Sequence, residues 1–276
     1  KIHVERFNAV APRTYNCEVA YNPMLTASLV RSAISGAAFQ VGPFPPDHTI
    51  EYDAKIDLED GQTIQFANTS TGMDLVEPSA EVAGSLALLM NSPFEVADVK
   101  GVEFNLRVQP KNTQAYLWSV DVADPQVKPG EQVHAEIVIE SFQKVKRKYQ
   151  VSLDVPKDLD PGKYNLMLLG AYDYESFVQK SMPYRFVATN YQTMVDALNM
   201  ALNTDRTKLY CVLVLPPDGI MLEKAELPKL PGTKAMILQS DKRAMPAQPY
   251  AQWIEKTIDV GTVVADKVTV PITVEK

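Results

Sequence analysis

Apolar and polar residues alternate along much of the chain, a pattern typical of β-strands with one buried face. The longest example is the run 50–58, in which every second residue is apolar and the intervening residues are charged. Asp60-Gly61 then predicts a hairpin turn, after which Ile64 and Phe66 continue the pattern in the returning strand. We expect one face of this hairpin to pack on a core and the other to face water.

Two helical segments occur among the strands of the first 112 residues. Apolar residues recur at helical spacing over 23–38 and over 79–90, with Asn22 and Ser79 as the expected N-caps. The remaining segments alternate as antiparallel strands do. We therefore predict one α+β domain over residues 1–112.

Two Pro-Gly turns, at Pro129 and Pro161, organise the middle of the chain. An alternating strand follows each turn, and a basic hairpin separates the two. In the preceding strand, Tyr116 and Trp118 are expected to share a face with the valines that follow them. Short strands at this spacing predict an immunoglobulin-like β-sandwich over 113–189. An early tryptophan fits that fold, although the cysteine pair of an antibody domain is missing.

The rest of the chain combines one helix with several strands. Asn190 is the expected N-cap of a helix that runs to about Asn203. The proline-rich stretch 216–233 is interpreted as an ordered connection or an edge strand, because it is too apolar for a flexible linker. Alternating runs predict a strand near 184–188 that closes the sandwich, and further strands near 209–215, 234–239, 252–259 and 267–274.

These elements predict a mostly β chain of the α+β class with several domains. A central immunoglobulin-like sandwich is flanked by the α+β domain 1–112 and by a small α+β domain over 190–276. A length of 276 residues suits two or three domains, or one large β domain. A content of 46% apolar and 22% charged residues is typical of a globular chain with real cores.

The net charge, the lengths of the apolar runs and the first residue bear on the expected partner and location of the chain. A formal net charge of −7 argues against a nucleic-acid partner, which would require clustered lysines and arginines. No apolar run approaches the roughly 20 residues of a membrane-spanning helix, so no transmembrane segment is predicted in the chain. Because the chain begins at Lys1 and not at a methionine, we expect a signal peptide or further domains to precede it in the gene product.

The two cysteines, Cys17 and Cys211, are far apart in the sequence. Each lies in an alternating apolar run, Cys17 within the second of two strands predicted over 4–20. The sequence therefore predicts two buried thiols, and a disulfide between them is the alternative.

Residues that could carry catalysis are sparse. Of the three histidines, His134 falls on the polar face of its strand and His48 in a loop without an apparent nucleophile. The chain has no Gly-x-Ser-x-Gly elbow, no phosphate-binding glycine loop and no Cys-x-x-Cys pair. The sequence predicts no catalytic residue, no cofactor and no metal site.

Acidic and aromatic residues alternate at one end of the predicted sandwich, in what we expect to be a loop. Such a loop is suited to bind a sugar or a peptide, although an ordinary loop is the alternative. Trp253 lies near Tyr250 and either adds a stacking surface or packs on a core or a neighbouring domain. The candidate ligand contacts are Tyr172, Asp173, Tyr174, Glu175, Phe177 and Trp253.

The main basic cluster lies in the hairpin of the central module and consists of Lys144, Lys146, Arg147 and Lys148. It is suited to contact an anionic surface. Charged residues in a hairpin also discourage edge-to-edge pairing of strands, which is the alternative interpretation.

The motif Val-Lys-Pro-Gly-Glu at 127–131, with Val-Pro-Lys-Asp-Leu-Asp-Pro-Gly-Lys-Tyr at 155–164, resembles bacterial extracytoplasmic immunoglobulin-like domains. More of the chain is similar to the long C-terminal regions of some large SpoIVB-like serine peptidase proteins of bacteria. The segments that carry this similarity are Asn22–Thr26, Ile50–Leu58, Asn91–Phe94, Val127–Glu131 and Glu226–Pro231.

In that family the peptidase domain carries a Gly-Met-Ser/Thr-Gly-Ser-Pro motif around its nucleophile. This chain has no such motif, so no catalytic residue is carried over. The resemblance implies an accessory region, located outside the cytoplasm, of a larger envelope protein.

Three functions follow as hypotheses. The first is a non-catalytic exported bacterial module for protein interaction or assembly. The second is a carbohydrate-binding or surface-adhesion module, which rests on the segment Tyr172–Phe177 and on Trp253. The third is an unrecognised hydrolase whose residues converge only in the folded chain. The expected partner is a protein or a glycan, and the oligomeric state is not predicted.

Overall fold

The computed structural model describes residues 1–40, 42–71, 75–222, 225–228, 233–234 and 247–275. Strands make up 44% of it and helices 23%, in several sheets, which confirms a mostly β chain of the α+β class. Contacts divide the chain into two units, residues 1–114 with 188–206 and residues 115–187 with 207–276. The segment 190–276, predicted as one domain, is thus shared between the two units. No helix among the described residues is long and apolar enough to span a membrane.

The first unit is built on a five-stranded sheet in the order β2-β1-β5-β3-β4. Its strands are β1 (Ile2–Arg6), β2 (Arg13–Tyr15), β3 (Thr49–Leu58), β4 (Thr63–Ser70) and β5 (Val99–Gln109). Strands β1 and β5 are parallel, and the other neighbours are antiparallel. Strand β3 has the predicted alternation of buried and less buried residues, and Gly61 has the positive φ of 87° that the turn before β4 requires.

The α-helices that lie entirely within the described residues are α1 (Thr26–Phe39), α2 (Val76–Met90), α3 (Ala171–Ser181) and α4 (Tyr191–Leu202). Helices α1, α2 and α4 contribute to the apolar core of the first unit. The predicted cap of α4 is confirmed, since the Asn190 side chain accepts a hydrogen bond from Thr193 N in a capping box. The predicted cap of α2 was wrong: Ser79 lies inside the helix and its hydroxyl donates to Leu75 O at 2.7 Å.

A buried guanidinium joins three parts of the first unit. The Arg206 side chain is 6% exposed, and its Nη1 lies 3.1 Å from Glu77 Oε1. Nη1 also donates to the Tyr52 hydroxyl oxygen at 2.9 Å, and Nη2 donates to Glu81. The Tyr52 hydroxyl in turn donates to Glu81 Oε2 at 2.5 Å, and burial raises the pKa of this hydroxyl far above its usual value. The segment after α4 is thereby linked to α2 and β3.

Among its described residues, the second unit contains two larger sheets and a small one, in the orders β15-β11-β10-β17-β7, β16-β6-β8-β9 and β13-β12-β14. Its strands are β6 (Gln114–Val122), β7 (Gln126–Val127), β8 (Gln132–Ser141), β9 (Lys146–Asp154), β10 (Gly162–Leu169), β11 (Lys208–Leu215), β12 (Gly219–Leu222), β13 (Ala225–Pro228), β14 (Ala247–Pro249), β15 (Gln252–Asp259), β16 (Val263–Val264) and β17 (Lys267–Val274). Apolar side chains of the two larger sheets share one core, which includes Ile137, Leu153, Leu166 and Leu213.

A β-bulge changes the face on which the aromatic residues of β6 lie. The pairing of β6 with β8 shifts between Leu117 and Ser119. Residues before the bulge therefore alternate out of phase with the valines after it. Tyr116 and Trp118, expected to share a face with those valines, are instead 44% and 60% exposed.

Three further predictions concern the second unit. The strand predicted over 184–188 is not formed, because Pro183–Arg185 is a 3-10 helix that begins with a proline, which lacks the N–H needed for a ladder. Within the described part of the stretch 216–233, β12 and β13 pair in antiparallel fashion. The strand predicted near 234–239 lies outside the described residues.

The cysteines differ from the prediction in one case. Cys211 is buried in the core of the second unit, as expected, but Cys17 is exposed because β2 ends at Tyr15 and does not include it. Both are free thiols.

Candidate functional site

The residues predicted to contact a ligand lie on a helix and not on a loop. Helix α3 spans Ala171–Ser181, with Asp173 in its first turn and Lys180 in its last, an arrangement that suits the helix dipole. The loop prediction was wrong because the alternating residues 172–175 were interpreted without the helical spacing of Tyr174 and Phe177.

The start of α3 is fixed by a close approach of two backbones. Gly170 precedes the helix in an extended conformation. A Cβ atom at this position would lie only 2.0 Å from Val264 O of strand β16. Gly170 N also donates to Asp266 O at 3.0 Å. Only glycine allows the chain to pass this point and begin the helix.

Aromatic side chains attach α3 to the sheet. The Tyr174 ring stacks on Tyr210 of β11 with the ring centroids 4.0 Å apart, and the rings of Phe177 and Trp253 meet edge to face at 5.0 Å. The Tyr174 hydroxyl donates to Glu255 Oε2 at 2.5 Å, and burial together with this bond raises the pKa of the hydroxyl well above its usual value. The helix therefore covers part of the face formed by β11 and β15.

The six candidate residues fall into two groups. Tyr174, Phe177 and Trp253 take part in one apolar cluster with the sheet. Tyr172 is exposed, and Asp173 forms an ion pair with Lys267 at 2.9 Å. Glu175 is half-buried. Ligand contact by these residues stays a prediction, but Phe177 and Trp253 are the two that border a cavity.

This cavity, the Trp253 groove, lies beside the C-terminal end of α3 and has a volume of about 390 Å3. Its apolar lining residues are Phe177, Pro183, Val214, Leu215, Pro217, Pro249, Ala251 and Trp253. Its polar lining residues are Lys180, Ser181 and Gln252. The volume is in the range of small-ligand sites, and a largely apolar wall with a few polar groups is typical of them.

A carboxylate with several donors holds two walls of the Trp253 groove. Glu226 Oε1 accepts hydrogen bonds from Arg185 Nη2 at 2.6 Å and from the Tyr184 hydroxyl at 3.1 Å. Glu226 Oε2 accepts one from the Tyr250 hydroxyl at 3.2 Å. Arg185 and Tyr184 follow Pro183, and Tyr250 follows Pro249, so these bonds fix the two prolines relative to β13.

The electrostatics of this cluster favour the charged form of its acid. Burial acts to raise the pKa of the Glu226 carboxyl, but the hydrogen bonds from Arg185 and Tyr184 outweigh it and hold the pKa below its usual value. Sequence patterns did not indicate the cluster, because Tyr184, Glu226 and Tyr250 are distant in the chain. The only signal was the position of Tyr250 near Trp253.

His134 and His48 form their hydrogen bonds with residues other than the candidate ligand contacts. His134 is exposed on its strand, as predicted, with Nδ1 2.7 Å from Ser152 Oγ. His48 is buried, with Nδ1 2.7 Å from Pro45 O and its ring against Phe44. Within the described part of the chain, no group of three or more His, Cys, Asp or Glu residues is placed to hold a metal ion.

A second cavity of about 470 Å3 lies in the first unit, between α1 and the beginning of β5. Val30, Ile34 and Phe104 form part of its apolar lining. Charges of both signs surround it, among them Lys100 and Glu103. This mixture favours no class of ligand, whereas the Trp253 groove combines aromatic, proline and cationic groups.

Comparisons of the chain with protein-family models, with curated proteins and with solved structures found no match.

Proposed function

We propose that the chain is a non-catalytic exported module of the bacterial cell envelope that binds an extended segment of a partner protein in the Trp253 groove. The observation that carries this proposal is the groove itself, in which Phe177 and Trp253 line one cavity with three prolines. Two of the residues singled out as candidate ligand contacts thus border a cavity of suitable size.

The finer fold and the origin of the chain are part of the same proposal. We propose an immunoglobulin-like sandwich in which strands of the central module combine with β11, β15, β16 and β17 of the same unit, supported by two sheets that bury one apolar core. The resemblance of residues 127–131 and 155–164 to extracytoplasmic domains supports a location outside the cytoplasm. The wider similarity supports an accessory region of a large SpoIVB-like protein.

The surface chemistry of the groove favours a peptide. Rings of aromatic residues and prolines offer flat apolar surfaces, on which extended and proline-rich segments bind in other recognition domains. Such segments lose little conformational entropy on binding because they are already extended. The edge-to-face contact of Phe177 with Trp253 fixes both rings before a ligand arrives.

The polar residues indicate how a bound segment would be oriented. Lys180 is exposed at the end of α3 and forms no ion pair with a described residue. An acidic side chain or a terminal carboxylate of the partner would therefore find a cation at this end of the groove. The Gln252 amide provides a donor and an acceptor for main-chain groups of the segment. Its Nε2 donates to Asp218 O at 3.1 Å, which leaves the amide oxygen for the ligand.

Peptide display tests the proposal with a random library, so the partner need not be identified first. Peptides selected on the immobilised chain should contain proline or large apolar residues near an acidic residue. Affinities are then compared between the wild-type chain, Ala251→Phe and Ala265→Phe. Ala251 lines the groove, whereas Ala265 is an exposed alanine outside it. Ala251→Phe should weaken binding about tenfold or more, equivalent to ~1.4 kcal/mol, and Ala265→Phe should not.

Selected peptides that bind Ala251→Phe as tightly as the wild-type chain would show that they bind elsewhere, and would refute the Trp253 groove as the binding site.

The location of the protein in the cell is tested separately. Fractionation of the native cells should recover the protein outside the cytoplasm, and its recovery in the cytoplasm would contradict export.

Carbohydrate binding is the second candidate function. The combination of Trp253 with Gln252 and Ser181 favours it, since sugars stack on tryptophan and require hydrogen-bonding groups around the ring. The same alanine variants separate the two candidates. Binding on a glycan array that is lost in Ala251→Phe, with no peptide selected, would establish a carbohydrate module in place of a peptide module.

A further inference from the structure

The hairpin between β8 and β9 ends in exposed apolar side chains. Phe142 is 47% exposed and Val145 is 53% exposed. The turn is closed by Lys144 N, which donates to Ser141 O at 2.8 Å, and by Ser141 N, which donates to Val145 O at 3.0 Å. Lys144 has a positive φ of 60°, unusual for a residue with a side chain. The turn is therefore a defined structure that holds two apolar side chains in water.

Aromatic residues of β6 lie beside the base of this hairpin. The bulge in β6 leaves Trp118 and Tyr116 exposed, and Tyr116 is paired with Glu140 near the end of β8. Lys146 Nζ lies 3.2 Å from the centroid of the Trp118 ring, a cation–π contact. Phe142, Val145, Tyr116 and Trp118 thus occur with lysines at one end of the sheet, which we call the hairpin surface.

Cations dominate the charge at this end of the sheet. Lys148 pairs with Glu136 at 2.8 Å and Lys146 lies 3.5 Å from Glu140. Lys144 and Arg147 are exposed and form no ion pair with a described residue. Acidic and basic residues are equal in number in the second unit, so the net charge of −7 comes from the residues of the first unit.

We propose that the hairpin surface binds the surface of an anionic lipid bilayer, with Phe142 and Val145 inserted among the headgroups. Lys144 and Arg147 would then contact lipid phosphates. Tyrosine and tryptophan prefer the membrane–water interface at the level of the headgroups, which is where Tyr116 and Trp118 would lie. This contact would place the module at a membrane without a membrane-spanning helix.

The combination of groups favours a bilayer over a soluble polyanion. A soluble acidic polysaccharide or protein would bind through the cations alone, and the exposed apolar side chains at the tip of the hairpin would not contribute to its binding. A bilayer uses both, since the cations are attracted to anionic headgroups while the apolar residues enter the interface.

Sedimentation with vesicles tests the proposal on the intact chain. Vesicles of equal parts phosphatidylcholine and phosphatidylglycerol should bind it, and vesicles of phosphatidylcholine alone should bind far less. The charge variant Lys144→Asn/Arg147→Gln should lose about fivefold in partitioning for each cation removed. Asparagine is chosen at 144 because it tolerates a positive φ. The matched control Lys128→Gln/Lys163→Gln removes the same charge from exposed positions elsewhere in the second unit.

The apolar variant Phe142→Ser/Val145→Ser distinguishes a bilayer from other anionic partners. It should also reduce binding to the anionic vesicles, because insertion is lost while the charge is unchanged. Unchanged binding in this variant, together with equal binding of the chain to soluble polyglutamate, would identify an acidic polymer and overturn the proposal. A loss in the control pair as large as that in the charge variant would overturn it as well.

A spectroscopic measurement needs no change in the hairpin. The chain has two tryptophans, so Trp253→Phe leaves Trp118 as the only one. Addition of anionic vesicles should shift the Trp118 emission to the blue, and brominated lipid should quench it. Emission that stays unchanged while the protein sediments with the vesicles would show that another surface makes the contact. These residues lie outside the Trp253 groove, so either proposal can fail alone.

Discussion

Replacing Arg206 with methionine should destabilise the first unit more than any exposed substitution. The change removes the only guanidinium that contacts Glu77, Glu81 and Tyr52 among the described residues. Glu77 and Glu81 then both lose their contact with the Arg206 guanidinium. Removing one partner of a buried ion pair costs about 3–5 kcal/mol.

The structure places the expected cost at the lower end of that range. Arg206 is 6% exposed, but Glu77 is 33% exposed and Glu81 is 16% exposed, so water can still solvate one of the acids. We therefore expect a loss of about 3 kcal/mol in the free energy of unfolding of this unit.

Urea unfolding followed by two probes measures this loss and assigns it to a unit. Both tryptophans, Trp118 and Trp253, belong to the second unit, so their fluorescence reports on that unit. Far-ultraviolet circular dichroism reports on both. Arg206→Met should move the dichroism transition to lower urea and leave the fluorescence midpoint in place.

A second substitution checks the physical reason. Glu81→Gln added to Arg206→Met removes one of the two carboxylates that have lost contact with Arg206 and should restore part of the lost stability. A loss under about 1 kcal/mol in Arg206→Met, the size of an exposed pair, would refute the assignment of this cluster as a buried ionic link. So would a double variant less stable than the single one.

Three further predictions concern individual residues. The pKa of Glu226 lies below its ordinary value of 4.5, so its hydrogen bonds stabilise the fold above pH 4.5, and this stabilisation is lost as the pH falls through the folded-state pKa. In urea unfolding, Glu226→Gln should be less stable than the wild-type chain at neutral pH, and a difference in stability that persists in acid would contradict this. Gly170→Ala should lower the free energy of unfolding by about 1–3 kcal/mol or more, because the new Cβ would meet the backbone of Val264. Gly162→Ala would meet only a side chain at 3.6 Å and should lower it less, and equal thermal midpoints of the two variants would refute the argument. A thiol reagent should modify the exposed Cys17 of the native chain quickly and Cys211 only after unfolding, since Cys211 is buried and burial raises its pKa to about 12. Rapid modification of both cysteines in the native chain would disprove this.

Elements with local signals were predictable from the sequence. The hairpin of β3 and β4 follows from strict alternation around Asp60-Gly61, and both strands lie where the pattern places them. The capping box at Asn190 involves residues three positions apart, so the start of α4 could be predicted to one residue.

Elements that depend on distant contacts were not predictable. The bulge in β6 inserts one residue and reverses the face of Trp118, a change that no periodicity shows in advance. Helix α3 was predicted as a loop, because the contacts that fix it are made with distant residues. Gly170 lies against the backbone of Val264, and Tyr174 stacks on Tyr210.

The candidate site was predictable only in part. Phe177 and Trp253 were predicted as ligand contacts because they are aromatic, and both line the same cavity, whereas Tyr172 and Asp173 lie outside it. The prolines and the Glu226 cluster that complete the Trp253 groove come from segments separated by many residues. Their role depends on tertiary contacts and has no counterpart in a local pattern.

The emission of Trp253 gives the most direct test of peptide binding in the groove. In the Trp118→Phe chain, Trp253 is the only tryptophan. Titration with a selected peptide should change its emission along a saturable curve that matches the binding isotherm, and Ala251→Phe should abolish the change. Emission that stays constant while the peptide binds, or an equal response in Ala251→Phe, would contradict the assignment of the Trp253 groove as the binding site.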